Sequence, residues 1–186
     1  MLLTLSSENV RSTTFTSASG QPLYVSSTPC RFMWPTTIRK YVSDDFQLEM
    51  KDRFEVAAQI RWRIFCPPVF RIGGKLLRSD SFLRKQGHTG RKRTFKGPDG
   101  RGYRWDMHHR VVVLSLDDSS RQEVARYRRT TSGCFDLLGV KSTKPCLEIS
   151  PEVEYMLDLV ILTFIYVEKL RMDKELREKR ARSRGA

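Results

Sequence analysis

Alternation of apolar and polar residues is the first signal along this chain. Phe54, Val56, Ala58, Ile60 and Trp62 share one parity, while Glu55, Gln59 and Arg61 take the other. A period of two held over nine residues predicts an antiparallel strand with one wet face. Phe46, Leu48 and Met50 alternate with Gln47, Glu49 and Lys51 in the same way. Shorter strands are predicted at VRSTTF and PLYVS around Gly20, and at Thr36–Val42. Val69–Ile72 and Lys75–Leu77 flank Gly73–Gly74, a favoured two-residue hairpin turn. Thr94–Phe95 and Tyr103–Met107 bracket GPDGRG, and Val111–Leu116, Glu123–Arg129 and Leu147–Ile149 complete the series. Residues 1–9 carry no such pattern and read as a flexible start. Residues 79–91 are polar, basic and Gly-containing, and read as a mobile loop. A long connection is expected from Arg129 through Thr143. The pattern predicts about twelve short strands in an all-β sandwich or barrel.

The last forty residues change period. Ser150–Pro151–Glu152 is a helix start, with an N-cap serine, proline in the first turn and an acid beside it. The helix is expected at about 151–172. Leu157, Leu159, Val160, Ile161, Leu162, Phe164, Ile165, Tyr166 and Val167 leave it no polar stripe. A helix apolar on all sides is buried on all sides, in protein or in lipid. Only 13 positions separate Glu154 from Glu168, and one of them is Asp158. A span needs ~20 apolar residues, so a buried core helix is favoured, with a membrane span at 153–170 as the alternative. Asp158 is expected to be a buried, structural polar group that is paired, protonated or near a barrel mouth, with an Arg or a hydroxyl from the strands as its partner. Residues 173–186 form a basic, charged tail.

One apolar helix and a dozen strands combine most economically as a closed antiparallel barrel of residues 10–172 wrapped around the helix. Closure would also remove exposed sheet edges. Composition sharpens this picture. The 186 residues carry 34 Lys and Arg against 21 Asp and Glu, a net charge of +13. Such a charge favours anionic partners: acidic membrane lipids, an acidic protein or nucleic acid. The densest basic stretch outside the tail holds Arg84, Lys85, Arg91, Lys92, Arg93 and Lys96, followed by Arg101 and Arg104. The first six are the candidate anion or headgroup site, and a solvated basic loop is the plain alternative. Nucleic acid is less favoured, because no recognition helix, RNA-binding aromatic signature or zinc finger accompanies the charge.

Four Cys at 30, 66, 134 and 146 show no metal-ligand spacing. The N-terminus lacks the pattern of a secretory signal. An intracellular, cytoplasmic location with reduced thiols is expected, including a peripheral position at a membrane. GPDGRG does not open a helix and is turn chemistry, not a dinucleotide fingerprint. His108 and His109 are adjacent and point to opposite faces of a strand, so they read as structural or surface histidines. No nucleophile elbow or paired carboxylates occur, so neither catalysis nor a cofactor or metal is expected.

The order of motifs carries a resemblance. Gly20–Val25, Ala58–Trp62, Phe82–Lys85, RTFKGPDGRGYRW at 93–105 and LEISPEVEYMLDLVILTFIYVEKLRMDKE at 147–175 together resemble an uncharacterised family of basidiomycete fungi. That family is in turn similar to the tubby C-terminal and LURP-one-related superfamily. The resemblance implies about twelve strands around a central C-terminal helix and, in the tubby branch, phosphoinositide headgroups on the barrel exterior. No tubby binding residue can be placed on this sequence.

Overall fold

The structure is a computed structural model that describes residues 1–29, 34–42, 53–129 and 144–184. The alternating segment 46–51, Cys30, Cys134 and the connection through Thr143 lie outside the described residues. The first seven strands are β1 Leu2–Leu5, β2 Thr13–Ser17, β3 Pro22–Ser27, β4 Thr36–Val42, β5 Arg53–Arg61, β6 Val69–Ile72 and β7 Lys75–Arg78. A short helix α1, Ser79–Phe82, leads to β8 Arg84–Gln86, β9 Lys92–Lys96, β10 Gly102–Met107, β11 Val111–Leu116, β12 Glu123–Arg128 and β13 Cys146–Ile149. A 3₁₀ stretch at Pro151–Met156 then feeds α2, Leu157–Arg184. Among the described residues the protein is mainly β, with one antiparallel sheet of thirteen strands.

The strand order is β7-β6-β5-β4-β3-β2-β1-β13-β12-β11-β10-β9-β8. Two meanders are joined by the β1–β13 pair, with Leu3 opposite Leu147. The N-terminal segment that the sequence suggested would fray is thus the central strand, with Leu3 and Leu5 fully buried. Its signal was weak because its partner lies some 140 residues away.

The expected closed barrel is not reached by hydrogen bonds, since β7 and β8 are free sheet edges. Strand parity explains this. In an antiparallel sheet of thirteen strands the first and last run the same way, so an antiparallel ladder cannot join them. A parallel ladder needs a crossover of a dozen or more residues, and only residues 79–83 separate β7 from β8. That short link still forces the sheet to curl. Flat, it would be roughly 57 Å wide at the ~4.8 Å strand spacing. The step from Arg78 to Arg84 can span at most about 20 Å. Of residues 79–91, read as a mobile loop, 79–82 are α1 and 84–86 are β8, and α1 plugs part of the seam. Phe82 packs on Phe70 of β6 at 6.3 Å and on Phe95 of β9 at 5.7 Å, bridging both sides with its ring.

The curled sheet encloses α2. Nine consecutive residues, Val160 to Glu168, are buried. At 100° per residue that covers every side of the helix. Phe164 meets Phe15 of β2 at 6.3 Å, Trp105 of β10 at 6.2 Å and Tyr127 of β12 at 4.7 Å. Tyr166 meets Phe70 at 5.0 Å and stacks on Trp62 at 6.1 Å. Residues 153–170 do not form a span: no helix among the described residues is long and apolar enough to cross a membrane. The α2 helix also runs on to Arg184, well past the expected end at 172.

One sequence expectation fails within β5. Register shifts between Ile38↔Ala58 and Arg39↔Val56, so Ala57 is an extra residue. A bulge reverses side-chain parity beyond it. Ala58 and Ile60 face the core as expected, but Val56 turns outward, 56% exposed. Glu55 takes the inner side, opposite Lys40 of β4.

The buried hydroxyl of Thr163 accepts a hydrogen bond from Trp105 Nε1 at 3.0 Å and donates to the Leu159 carbonyl at 2.8 Å. Thr163→Val keeps the shape and leaves the indole N–H unpaired. It should lower stability by about 1–3 kcal/mol, measured by urea unfolding. The double variant Trp105→Phe/Thr163→Val should show a coupling energy, because the second change removes the orphaned donor.

Candidate functional site

The two ends of the sheet differ in chemistry. The α2 helix enters at one end, the mouth, and leaves at the other, the exit. At the exit it passes through a collar of charges. Arg171, 2% exposed, donates to both oxygens of the fully buried Glu168 at 2.6 Å. It also donates to the His109 carbonyl at 2.5 Å and to Glu175. Arg129 reaches Glu8 and Glu175 at 3.3 Å each and Glu168 at 3.9 Å. Burial alone would lower the Arg171 guanidinium, and the bonded Glu168 together with Glu175 more than offsets it. Burial pushes the Glu168 carboxyl up against the pull of Arg171 and Arg129. Helical spacing brings these groups together, since 168, 171 and 175 share one face.

Outside the collar the exit end is unlike an ordinary surface. Loop 62–68 joins β5 to β6 and cannot continue the ladder through Pro67–Pro68. Ile64 is 54% exposed and Phe65 is 95% exposed. Trp34, just before β4 at the same end, is 55% exposed. Arg61 and Arg63 precede the apolar pair, are exposed, and make no ion pair among the described residues. Beyond Lys169 the protruding helix carries Lys174, Arg177, Lys179, Arg180, Arg182 and Arg184 against Asp173, Glu175 and Glu178. The residues of α2 after Arg171 extend about 20 Å at 1.5 Å per residue.

The six basic residues singled out from sequence do not converge on one site. Arg91 is held by Glu178 at 3.2 Å, in a loop whose Thr89 carbonyl accepts from Lys174. Arg84, on β8, faces the side opposite to Lys85, which lies across from Arg93 of β9. Arg93 shares the parity of buried Phe95, and its Nε is buried without a hydrogen-bond partner. Lys92 and Lys96 are exposed at the two ends of β9. Lys92 lies toward the exit and Lys96 toward the mouth. Sequence reasoning missed Trp34, Ile64 and Phe65. The signal was present: apolar residues just before a Pro–Pro break have no strand in which to bury.

At the mouth, Asp158 opens the first turn of α2. It is not buried as expected: its side chain is 39% exposed. A hydroxyl partner from the strands is present, because the buried Tyr24 of β3 donates to Asp158 Oδ1. Lys40 stands 3.5 Å from the same oxygen. Burial, then the bond to Asp158, raises the Tyr24 phenol far above its ordinary value. Lys40 and Asp158 border a cleft of about 950 Å³ at the mouth end of the seam. His108 and His109 are surface residues, one of the two readings, but they lie in the β10–β11 turn and not on a strand, so the opposite-face placement does not apply.

Residues 8–173 match a family of unknown function, DUF6593, and the chain belongs to that family. No curated protein matches it. An X-ray structure of a protein from Arabidopsis thaliana is similar at 9% identity and a TM-score of 0.47, over 91% of this chain and 90% of that one.

Removing one partner of a buried ion pair leaves an uncompensated charge. Arg171→Met should cost about 3–5 kcal/mol of stability, read by chemical denaturation. Adding Glu168→Met should recover much of that loss, since the buried carboxylate then disappears with its partner.

Proposed function

We propose that this DUF6593 protein is a non-enzymatic, intracellular membrane-peripheral protein that docks its exit end onto acidic lipid surfaces. The observation that carries the reading is Phe65, 95% exposed at the tip of a loop with Arg61 and Arg63 beside it. Exposed apolar residues ringed by cations mark interaction surfaces. In an anionic membrane, Ile64 and Phe65 enter the headgroup–acyl boundary while the guanidiniums meet phosphates. Burying an aromatic or branched side chain is worth about 1.5–3 kcal/mol. Each cation near the leaflet adds about 1 kcal/mol. Neither contribution alone holds a protein at a membrane, but the two together give reversible binding.

The collar supports the same orientation. It fixes the direction in which the basic end of α2 leaves the sheet, at the same end as the loop. The converging polar groups at each end, Tyr24–Asp158–Lys40 and Glu168–Arg171–Glu175, bond one another. We therefore assign them positions in the scaffold and no catalytic step. The sequence resemblance to the basidiomycete family and to the tubby and LURP-one-related superfamily agrees with this reading. It adds phosphoinositides as the acidic lipids of first interest, and a barrel whose seam is closed by side chains.

Vesicle flotation at ~0.15 M salt, where the Debye length is about 8 Å, tests the proposal. The full chain should float with phosphatidylserine or phosphoinositide vesicles and not with phosphatidylcholine alone. Ile64→Ser/Phe65→Ser and Arg61→Glu/Arg63→Glu should each cut binding at least tenfold with unchanged folding. Binding to no vesicle, or binding that ignores both variants, would overturn it. Capture of RNA in place of vesicles, with a steep salt dependence, would redirect it to nucleic acid.

A further inference from the structure

The mouth cleft exists because of the seam. The α1 helix occupies only the exit half of the gap between β7 and β9. The mouth half stays open, and its floor is Met156 and Leu159 from the start of the central helix, with Leu77 and Phe82 beside them. At about 950 Å³ it is at the upper end of the ~300–1,000 Å³ usual for small-molecule sites. The bulged segment contributes one side of it, with Glu55, Val56 and Ala57 all on the lining.

Five charged groups line this cleft: Lys40, Glu55, Lys75, Lys96 and Asp158. They are not equivalent. Lys40 lies 3.5 Å from Asp158 and opposite Glu55 across the ladder, so it stands between the two acids. Asp158 also accepts from Tyr24. Asp99, the acid nearest Lys96 in the chain, is taken by the Tyr103 hydroxyl at 2.8 Å and the Arg101 amide at 3.1 Å. Lys75, on the β6–β7 hairpin, and Lys96, at the end of β9, make no ion pair among the described residues. They stand on the two walls of the seam, above an apolar floor.

Two uncommitted ammonium groups over an apolar trough match a ligand with one negative head and one hydrocarbon body. We infer that the mouth cleft binds a fatty acid, with its carboxylate between Lys75 and Lys96 and its chain against Leu77, Phe82, Met156 and Leu159. A small hydrophilic anion would leave the trough in water. A neutral hydrocarbon would leave the two charges unanswered. The site is at the opposite end from the membrane-docking loop and does not depend on that reading.

The test uses the full chain and cis-parinaric acid, a fluorescent fatty acid, below its micellar range. Its fluorescence should rise saturably on addition of protein. Oleate should displace it, and methyl oleate or inorganic phosphate should compete at least tenfold less well. Lys75→Ala/Lys96→Ala should weaken binding at least tenfold with an unchanged thermal midpoint, because both side chains are exposed. Ile64→Ser/Phe65→Ser should leave it intact, which separates this site from the docking face. A diazirine-bearing fatty acid should label peptides containing 75–82 or 155–159. Non-saturable binding, equal competition by methyl oleate, an unaffected lysine variant, or labelling confined to the exit loops would overturn the inference.

Discussion

A helix with no polar stripe must be covered from every direction, and this requirement organises the molecule. Val160 to Glu168 are buried without a break. A sheet packed on one side would satisfy only part of such a helix. Strands distant from one another in the sheet order must therefore supply rings to the same residue, as Phe15, Trp105 and Tyr127 do around Phe164. The single polar group in the middle of the run, Thr163, is tolerated because Trp105 and the Leu159 carbonyl satisfy it. Enclosure then ends abruptly. Glu168 closes the buried run, and Arg171, three residues on, neutralises it at the level where the sheet stops.

Enclosure by an odd number of antiparallel strands creates the second feature, a seam that no ladder can close. Side chains do what hydrogen bonds cannot. The contacts Phe70–Phe82–Phe95 carry packing across the gap between sheet edges. The edges themselves are short, and β8 carries Arg84 and Lys85, which discourages pairing with another chain. Because α1 plugs only one half, the seam separates a closed, charge-collared exit from an open mouth. The asymmetry of the two ends follows from strand parity plus the five-residue link between β7 and β8.

Much of this was legible in the sequence. The strands from β2 to β7 and from β9 to β13, the hairpin turns, and the burial of α2 all follow from local pattern and length. What escaped depends on distant partners. Leu2–Leu5 becomes a strand only through β13 and β2, so a four-residue run at the chain start looked loose. Arg84–Gln86 has no apolar alternation and is a strand only by pairing with β9. The bulge at Ala57 left the alternation of Phe54 to Trp62 intact in sequence while reversing what half of it faces. For Asp158 an Arg or a hydroxyl partner and a place near a mouth were both readable, and Tyr24 supplies the hydroxyl; the second neighbour, Lys40, was not foreseen. The collar was partly encoded in the spacing of Glu168, Arg171 and Glu175. Its other members, Arg129 and Glu8, could not be joined to it without the fold.

Net charge pointed to anionic partners without locating them, and the ion pairs show why. A cation already facing a carboxylate gains little from a second anion, so the effective surface charge is what remains after internal pairing. Within the basic stretch, Arg91 is paired with Glu178, Arg101 lies 3.9 Å from Asp99, and Arg104 lies between Asp106 and Asp117. Of the six candidate residues only Arg91 is paired in this way; the other five make no ion pair among the described residues, and it is their spread over different faces that keeps them from forming one site. Among the unpaired cations, two pairs stand beside apolar residues: Arg61 and Arg63 next to Ile64 and Phe65, and Lys75 and Lys96 on the cleft that Leu77 and Phe82 also line. An uncommitted charge next to exposed hydrocarbon is better matched by an amphiphile than by a purely polar anion. Both proposed sites rest on this pairing of charge with hydrocarbon, which a nucleic acid, rich in phosphate but polar, does not offer.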